Sequence, residues 1–192
     1  MISSGHVVAD CSGSVTGTGD IHQPDSTTSK IGNAIRGWNS INMDYAIVDI
    51  DISQSGDLTY YIAADSDDTY KEPIYGKVTW DKINEIMNNY EYIEFQRKES
   101  GRLGSILITD TASNSSGDVQ YFYTNNKVLN GDSGGPFFEV KSGEAYIAGE
   151  LVAEADQDGD RYYDDAKATA MSGIENDDGY ISVGNADLTV GE

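Results

Sequence analysis

Asn130-Gly-Asp-Ser-Gly-Gly-Pro-Phe137 sets one serine among three glycines and runs straight into the apolar stretch Pro136-Phe-Phe-Glu-Val140. Glycine reaches backbone conformations closed to other residues, so glycines on both sides of Ser133 let amide N–H groups converge beside its Oγ. An oxyanion forming on an attacked carbonyl would sit at that point, and one such donor is typically worth about 10²–10³ in rate. On its own residues the stretch is either a nucleophile turn leading into a strand or a tight turn without chemistry.

The surrounding sequence repeats the turn-then-strand pattern. Short clusters rich in Val, Ile and Tyr are separated by Gly, Asn, Asp and Ser: Tyr45–Ile50, Leu58–Ala63, Tyr92–Phe95, Leu103–Thr109, Val119–Tyr123, Pro136–Val140 and Ala145–Ala153. Many short strands at such spacing indicate an all-β sandwich or barrel. One helical segment interrupts them, where Asp81 can cap a turn carrying Ile83, Ile86, Met87 and Tyr90 on one face. The polar, acidic stretch Ala64–Pro73 reads as a linker between two halves.

The chain has 192 residues with 33 Asp and Glu against 12 Lys and Arg, a formal charge of −21. Such a surface repels phosphate backbones and anionic lipid, which need clustered Lys or Arg, so nucleic-acid and membrane partners are not expected. No apolar run approaches the roughly 20 residues that span a bilayer, and Met1–His6 has no signal-peptide pattern. Cys11 is the single cysteine, so no intrachain disulfide can form. An acid-rich surface suits a salt-tolerant protein and suggests an extracellular or cell-surface setting.

The run Gly131-Asp-Ser-Gly-Gly-Pro136 resembles the nucleophile motif of the trypsin/chymotrypsin-like serine proteases, of bacterial or archaeal type, without change. The resemblance implies that Ser133 is the nucleophile, that the amides of Gly131 and Ser133 form the oxyanion hole, and that Asp132 is a buried carboxylate supporting the loop. A serine needs a base, and the chain has two histidines. Ile2-Ser-Ser-Gly-His-Val-Val8 is similar to the family's histidine segment, which favours His6; His22, flanked by turn-formers, is expected on a surface loop. Met43-Asp-Tyr-Ala-Ile-Val48 is similar to the segment of the family's third member, giving Asp44. Asp49 and Asp51 are rivals on the opposite face of an alternating strand. The order His6, Asp44, Ser133 is the family's order. Pro73–Trp80 and Ile93–Ile106 are loosely similar to the opening strands of the second barrel in bacterial members.

The resemblance implies two six-stranded antiparallel barrels with the first incomplete, residues 1–66 being its N-terminally shortened remnant and 67–192 the second barrel, joined by one short helix. The remnant would need upstream residues or a covering partner. Asp132, denied the freed amino terminus that the family uses, needs another partner, for which Arg102 or a hydrogen-bonded turn is available. The function implied is a serine endopeptidase acting on protein or peptide substrates through an acyl-enzyme, with no cofactor required. Two other readings stay open: an inactive protease-like binding module or fragment, and a calcium-binding β-rich surface protein.

The pocket walls that the family uses correspond here to Tyr123–Asn130 and Leu151–Glu154, with Lys127 either facing an acidic substrate side chain or facing solvent. Beyond them Asp156, Asp158, Asp160 and Asp164 lie in an acidic run. Acids at alternate positions can converge on Ca²⁺, although the spacing departs from the EF-hand loop. The other reading is a charged hairpin turn on Asp158-Gly159.

Overall fold

The computed structural model describes residues 2–3, 13–22, 30–40, 43–50, 61–63, 71–97, 101–126, 128–129, 132–155, 165–179 and 186–192. The chain divides into two compact units, Met1–Thr59 and Tyr60–Glu192. Strand dominates the described residues, as the all-β reading expects.

In the first unit β1 (Ile2–Ser3), β2 (Gly13–His22), β3 (Lys30–Ser40) and β4 (Met43–Ile50) form one antiparallel sheet in the order β1-β4-β3-β2. The apolar run of β4 is buried from Met43 to Val48. His22 ends β2, paired with Lys30, rather than lying on a loop. Strands β2 and β3 were outside the expected set because Gly13–His22 carries only Val15 and Ile21 as large apolar residues. Ladder hydrogen bonds to a neighbour form such strands where side-chain propensity does not.

The second unit contains β5 (Tyr61–Ala63), β6 (Lys71–Val78), α1 (Trp80–Asn89), β7 (Tyr92–Arg97), β8 (Gly101–Ser113), β9 (Gln120–Thr124), β10 (Pro136–Lys141), β11 (Glu144–Ala155), β12 (Asp165–Ala170), α2 (Met171–Asp178) and β13 (Ala186–Leu188). Six of these close into an antiparallel barrel in the cyclic order β7-β8-β9-β12-β11-β10, the last pairing back to β7. Three hairpin-connected strands, β7 to β9, are followed by a fourth that returns beside the first, which is a Greek key. Closure leaves no edge on these six strands. Strands β5 and β6 pair antiparallel, Tyr61 opposite Pro73, so the residues on both sides of the expected 66/67 boundary belong to the second unit. Lys71–Pro73, read as the end of a linker, instead opens β6.

Period-two alternation fills the barrel. Ile93 and Phe95 of β7, Ile106 and Ile108 of β8, Phe122 of β9, Phe137 of β10, Leu151 of β11 and Ala166, Ala168 and Ala170 of β12 all join one buried core. Phe137 lies between Phe95, tilted with ring centroids 4.5 Å apart, and Phe122, edge-on at 5.5 Å, and the small alanines of β12 share the same core.

The cap of helix α1 lies two residues before the expected one. Thr79 is its N-cap, with Oγ1 accepting from the Lys82 N–H at 3.3 Å, while Asp81 sits in the first turn where a negative charge suits the dipole. Ile83 and Ile86 are buried as expected, but Tyr90 is the left-handed C-cap and is 78% exposed. A second helix, α2, corrects the expectation of one. Met171-Ser-Gly-Ile174 contains the poor helix formers Ser172 and Gly173 and has no side-chain cap, yet it is buried. Gly173 makes this packing possible, since a Cβ there would lie 3.0 Å from Gln120.

Candidate active site

The long connection of the Greek key, residues 125–135, carries Ser133. Its start is pinned to β8: Asn125 N–H donates to the Leu107 carbonyl at 3.2 Å, and the Asn125 side-chain carbonyl accepts from the Leu107 N–H at 3.0 Å. Val128 then drops a fully buried side chain into the core. Beyond it the chain makes two successive hydrogen-bonded turns that share Asp132.

Asp132, 4% exposed, is the hub of these turns. Its N–H donates to Leu129 O at 2.9 Å, closing the first, and its carbonyl accepts from the Gly135 N–H at 2.9 Å, closing the second. Its Oδ2 accepts from the Leu129 N–H at 2.9 Å and faces Arg97 Nε at 3.4 Å. In the second turn Gly134 has φ +82°, the left-handed value that the third residue of a type II turn requires. Gly135 faces strand β7 so closely that a Cβ would come within 2.7 Å of Gln96 O and 2.8 Å of the Phe95 ring. The turn is tied to β11 on its other side, with Gly134 N–H donating to Leu151 O at 2.8 Å and Leu151 N–H donating to Gly135 O at 2.9 Å.

Three of the four amides from Asp132 to Gly135 are thereby engaged in backbone hydrogen bonds, and the fourth is that of Ser133. Neither the N–H nor the hydroxyl of half-buried Ser133 makes a hydrogen bond to a described residue. The second residue of such a turn points its N–H away from the ring, so the lack of a described partner for the Ser133 N–H follows from the fold. Gly131, the other expected oxyanion donor, lies outside the described residues.

Asp44 lies on β4 of the first unit and is 6% exposed, whereas its rival Asp49 is exposed and Asp51 lies outside the described residues. Strand β1 runs antiparallel to β4 with Ile2 opposite Ile47 and Ser3 opposite Ala46, so β1 itself points toward the Asp44 end of β4. His6 itself lies outside the described residues.

The expected pocket walls fall on the connection after β9 and on β11. Strand β12 runs between them, Lys167 pairing with Tyr123 on one side and Ala153 on the other. Lys167 Nζ lies 3.9 Å from the centre of the Tyr121 ring, which meets Tyr123 edge-on at 5.7 Å. Burial first, and then Tyr121 and Asp110, push the Tyr123 phenol above its ordinary range. Lys127 and the acids Asp156, Asp158, Asp160 and Asp164 lie outside the described residues, and among the described residues no three His, Cys, Asp or Glu side chains gather as a metal site.

Of the two partners expected for Asp132, the hydrogen-bonded turn is present, whereas Arg102 is engaged elsewhere: it pairs with Glu72 at 2.7 Å and with both oxygens of Glu94, and lies over Phe138. Among the described residues the cation beside Asp132 is Arg97, which nothing in Gln96-Arg-Lys98 singles out. Only the pairing of β7 with β10, Phe95 opposite Phe137, brings the end of β7 to the turn. No helix among the described residues is long and apolar enough to cross a membrane. No family model matches the chain, and no curated protein matches it.

Proposed function

We propose that the chain is a serine endopeptidase of the trypsin-like type. Ser133 Oγ attacks the scissile carbonyl, His6 takes its proton and later delivers it to the leaving amine, and Asp44 holds the imidazole in one tautomer. The N–H groups of Ser133 and Gly131 receive the oxyanion, and water then releases the acyl group from Ser133. The observation that carries this reading is the turn itself: the amides of Asp132, Gly134 and Gly135 are engaged in backbone hydrogen bonds, while the Ser133 N–H and hydroxyl have no hydrogen-bond partner among the described residues. Rigid support around an unengaged donor and nucleophile is what preorganised catalysis requires. Burial of Asp44 and the heading of β1 toward it support its role beside His6.

The test is intact mass after treatment with a fluorophosphonate, beside Ser133→Ala. A single adduct on the parent and none on the variant is expected. A folded parent that takes no adduct would remove the hydrolase reading and leave the barrel as a binding module.

A further inference from the structure

We propose that Asn114 is an acceptor for an N-linked glycan, carried on the tip of the β8–β9 hairpin. Asn114-Ser-Ser116 places a hydroxyl residue two positions after an asparagine with no proline between them, the pattern that N-glycosylating transferases read. No other asparagine of the 192-residue chain has Ser or Thr two positions on. The last pair of the hairpin is Ser113 with Gln120, so residues 114–119 project beyond the ladder. Ser113, Asn114, Ser115 and Ser116 are all exposed. The site is independent of the chemistry at Ser133.

The turn holds the acceptor without hiding it. Asn114 N–H donates to the Val119 carbonyl at 3.0 Å. Its side-chain Oδ1 accepts from the Gly117 N–H at 2.8 Å and the Val119 N–H at 3.2 Å, which fixes the plane of the amide. Asn114 Nδ2 and the Ser116 hydroxyl both donate to Asp118 Oδ1. A primary amide has two N–H groups, so one is left for exchange with sugar while Asp118 keeps the other. In the transfer, C1 of the sugar leaves the phosphate of a lipid-linked donor and bonds to Nδ2. The displaced Nδ2 proton passes to a base of the transferase, and the lipid phosphate departs. The product keeps one N–H for Asp118 and Oδ1 for both backbone donors, so the folded turn carries the glycan without rearrangement. Strand β8 separates this tip from the Ser133 turn: Arg97, beside Asp132, pairs with Gly101 at the start of β8, and Asn114 follows its last residue, Ser113. Such transfer takes place on exported chains, the setting expected from the acid-rich surface.

The experiment maps the tryptic peptide Leu103–Lys127, which contains the one sequon, by mass spectrometry. It compares the parent purified from the cells that produce it with Asn114→Gln, Ser116→Ala and Ser116→Thr made in the same cells, each shown folded by near-ultraviolet circular dichroism. Parent and Ser116→Thr should carry a mass increment of whole sugar residues, located on Asn114 by fragmentation. Asn114→Gln and Ser116→Ala should lose it entirely. An unmodified Asn114 in the parent would overturn the proposal, and so would an increment that survives in Ser116→Ala.

Discussion

Strand β10 joins two differently built ends of the barrel. At Pro136 it receives the turn of Asp132–Gly135, fixed mainly by backbone hydrogen bonds, close glycine contacts and one ion pair. Toward Lys141 it enters a group of side-chain charges. Lys82 of α1, its side chain 4% exposed, reaches Glu85 at 3.0 Å, Glu91 at 3.7 Å and the Glu192 carbonyl at 3.3 Å, while Glu139 of β10 is half-buried close by. Burial alone would lower the Lys82 ammonium. The hydrogen bond with Glu85 and the charges of Glu139, Glu91 and Glu85 outweigh it and hold that group above the ordinary lysine range. Geometry fixes the first end and titratable charge the second, so changes at the two ends should have different signatures.

The largest effect is expected at the turn. Gly135→Val would force a branched side chain against Gln96 O, Asp132 O and the Phe95 ring, and should cost about 3 kcal/mol in urea unfolding. It should also abolish fluorophosphonate labelling. Lys82→Met at the other end should cost about 2 kcal/mol, below the roughly 3–5 kcal/mol of a fully buried pair because Glu91 is 44% exposed. Its labelling rate should match the parent's; an equal fall in labelling would erase the distinction between the ends. Thr79→Ala, which uncaps the helix carrying Lys82, should cost about 1 kcal/mol.

Glu139→Gln should have the smallest effect and the opposite sign. Desolvation, followed by the charges of Glu91 and Glu85, outweighs Lys82 and Lys141 and raises the Glu139 carboxyl above the ordinary carboxylate range. Folding therefore favours its protonated form. The unfolded chain ionises first as pH rises, so the penalty grows from the ordinary carboxylate pKa up to the folded one and is complete above it. The Gln variant should melt slightly higher than the parent at neutral pH and equally at acid pH. A parental Tm that exceeds the variant's at neutral pH would show that Lys82 dominates the environment of Glu139.

The β character of the second unit was legible because its barrel strands are rich in Val, Ile, Phe and Tyr, and the tight turn around Ser133 was legible because three of the eight residues from Asn130 to Phe137 are glycines. Strands β2 and β12 were not. The first is held by ladder bonds despite its glycines, and Ala166, Ala168 and Ala170 share one buried core with three phenylalanines from elsewhere in the chain, which local sequence does not announce. Helix α2 forms through burial against β9, β11 and β12, which no local propensity announces. Arg97 escaped notice for a related reason. The register of β7 against β10 makes it Asp132's partner, and sequence proximity equally allowed Arg102.

The most direct test of the central claim is the amide proton of Ser133, followed by NMR in the free protein and in its peptide boronate complex. If Ser133 N–H is the unengaged donor that receives the oxyanion, its signal should exchange fast when free, then move downfield and become protected when the boronate bonds to Oγ, while Gly134 and Gly135 stay protected throughout. A Ser133 amide already protected in the free protein, or unmoved by a bonded boronate, would contradict the claim.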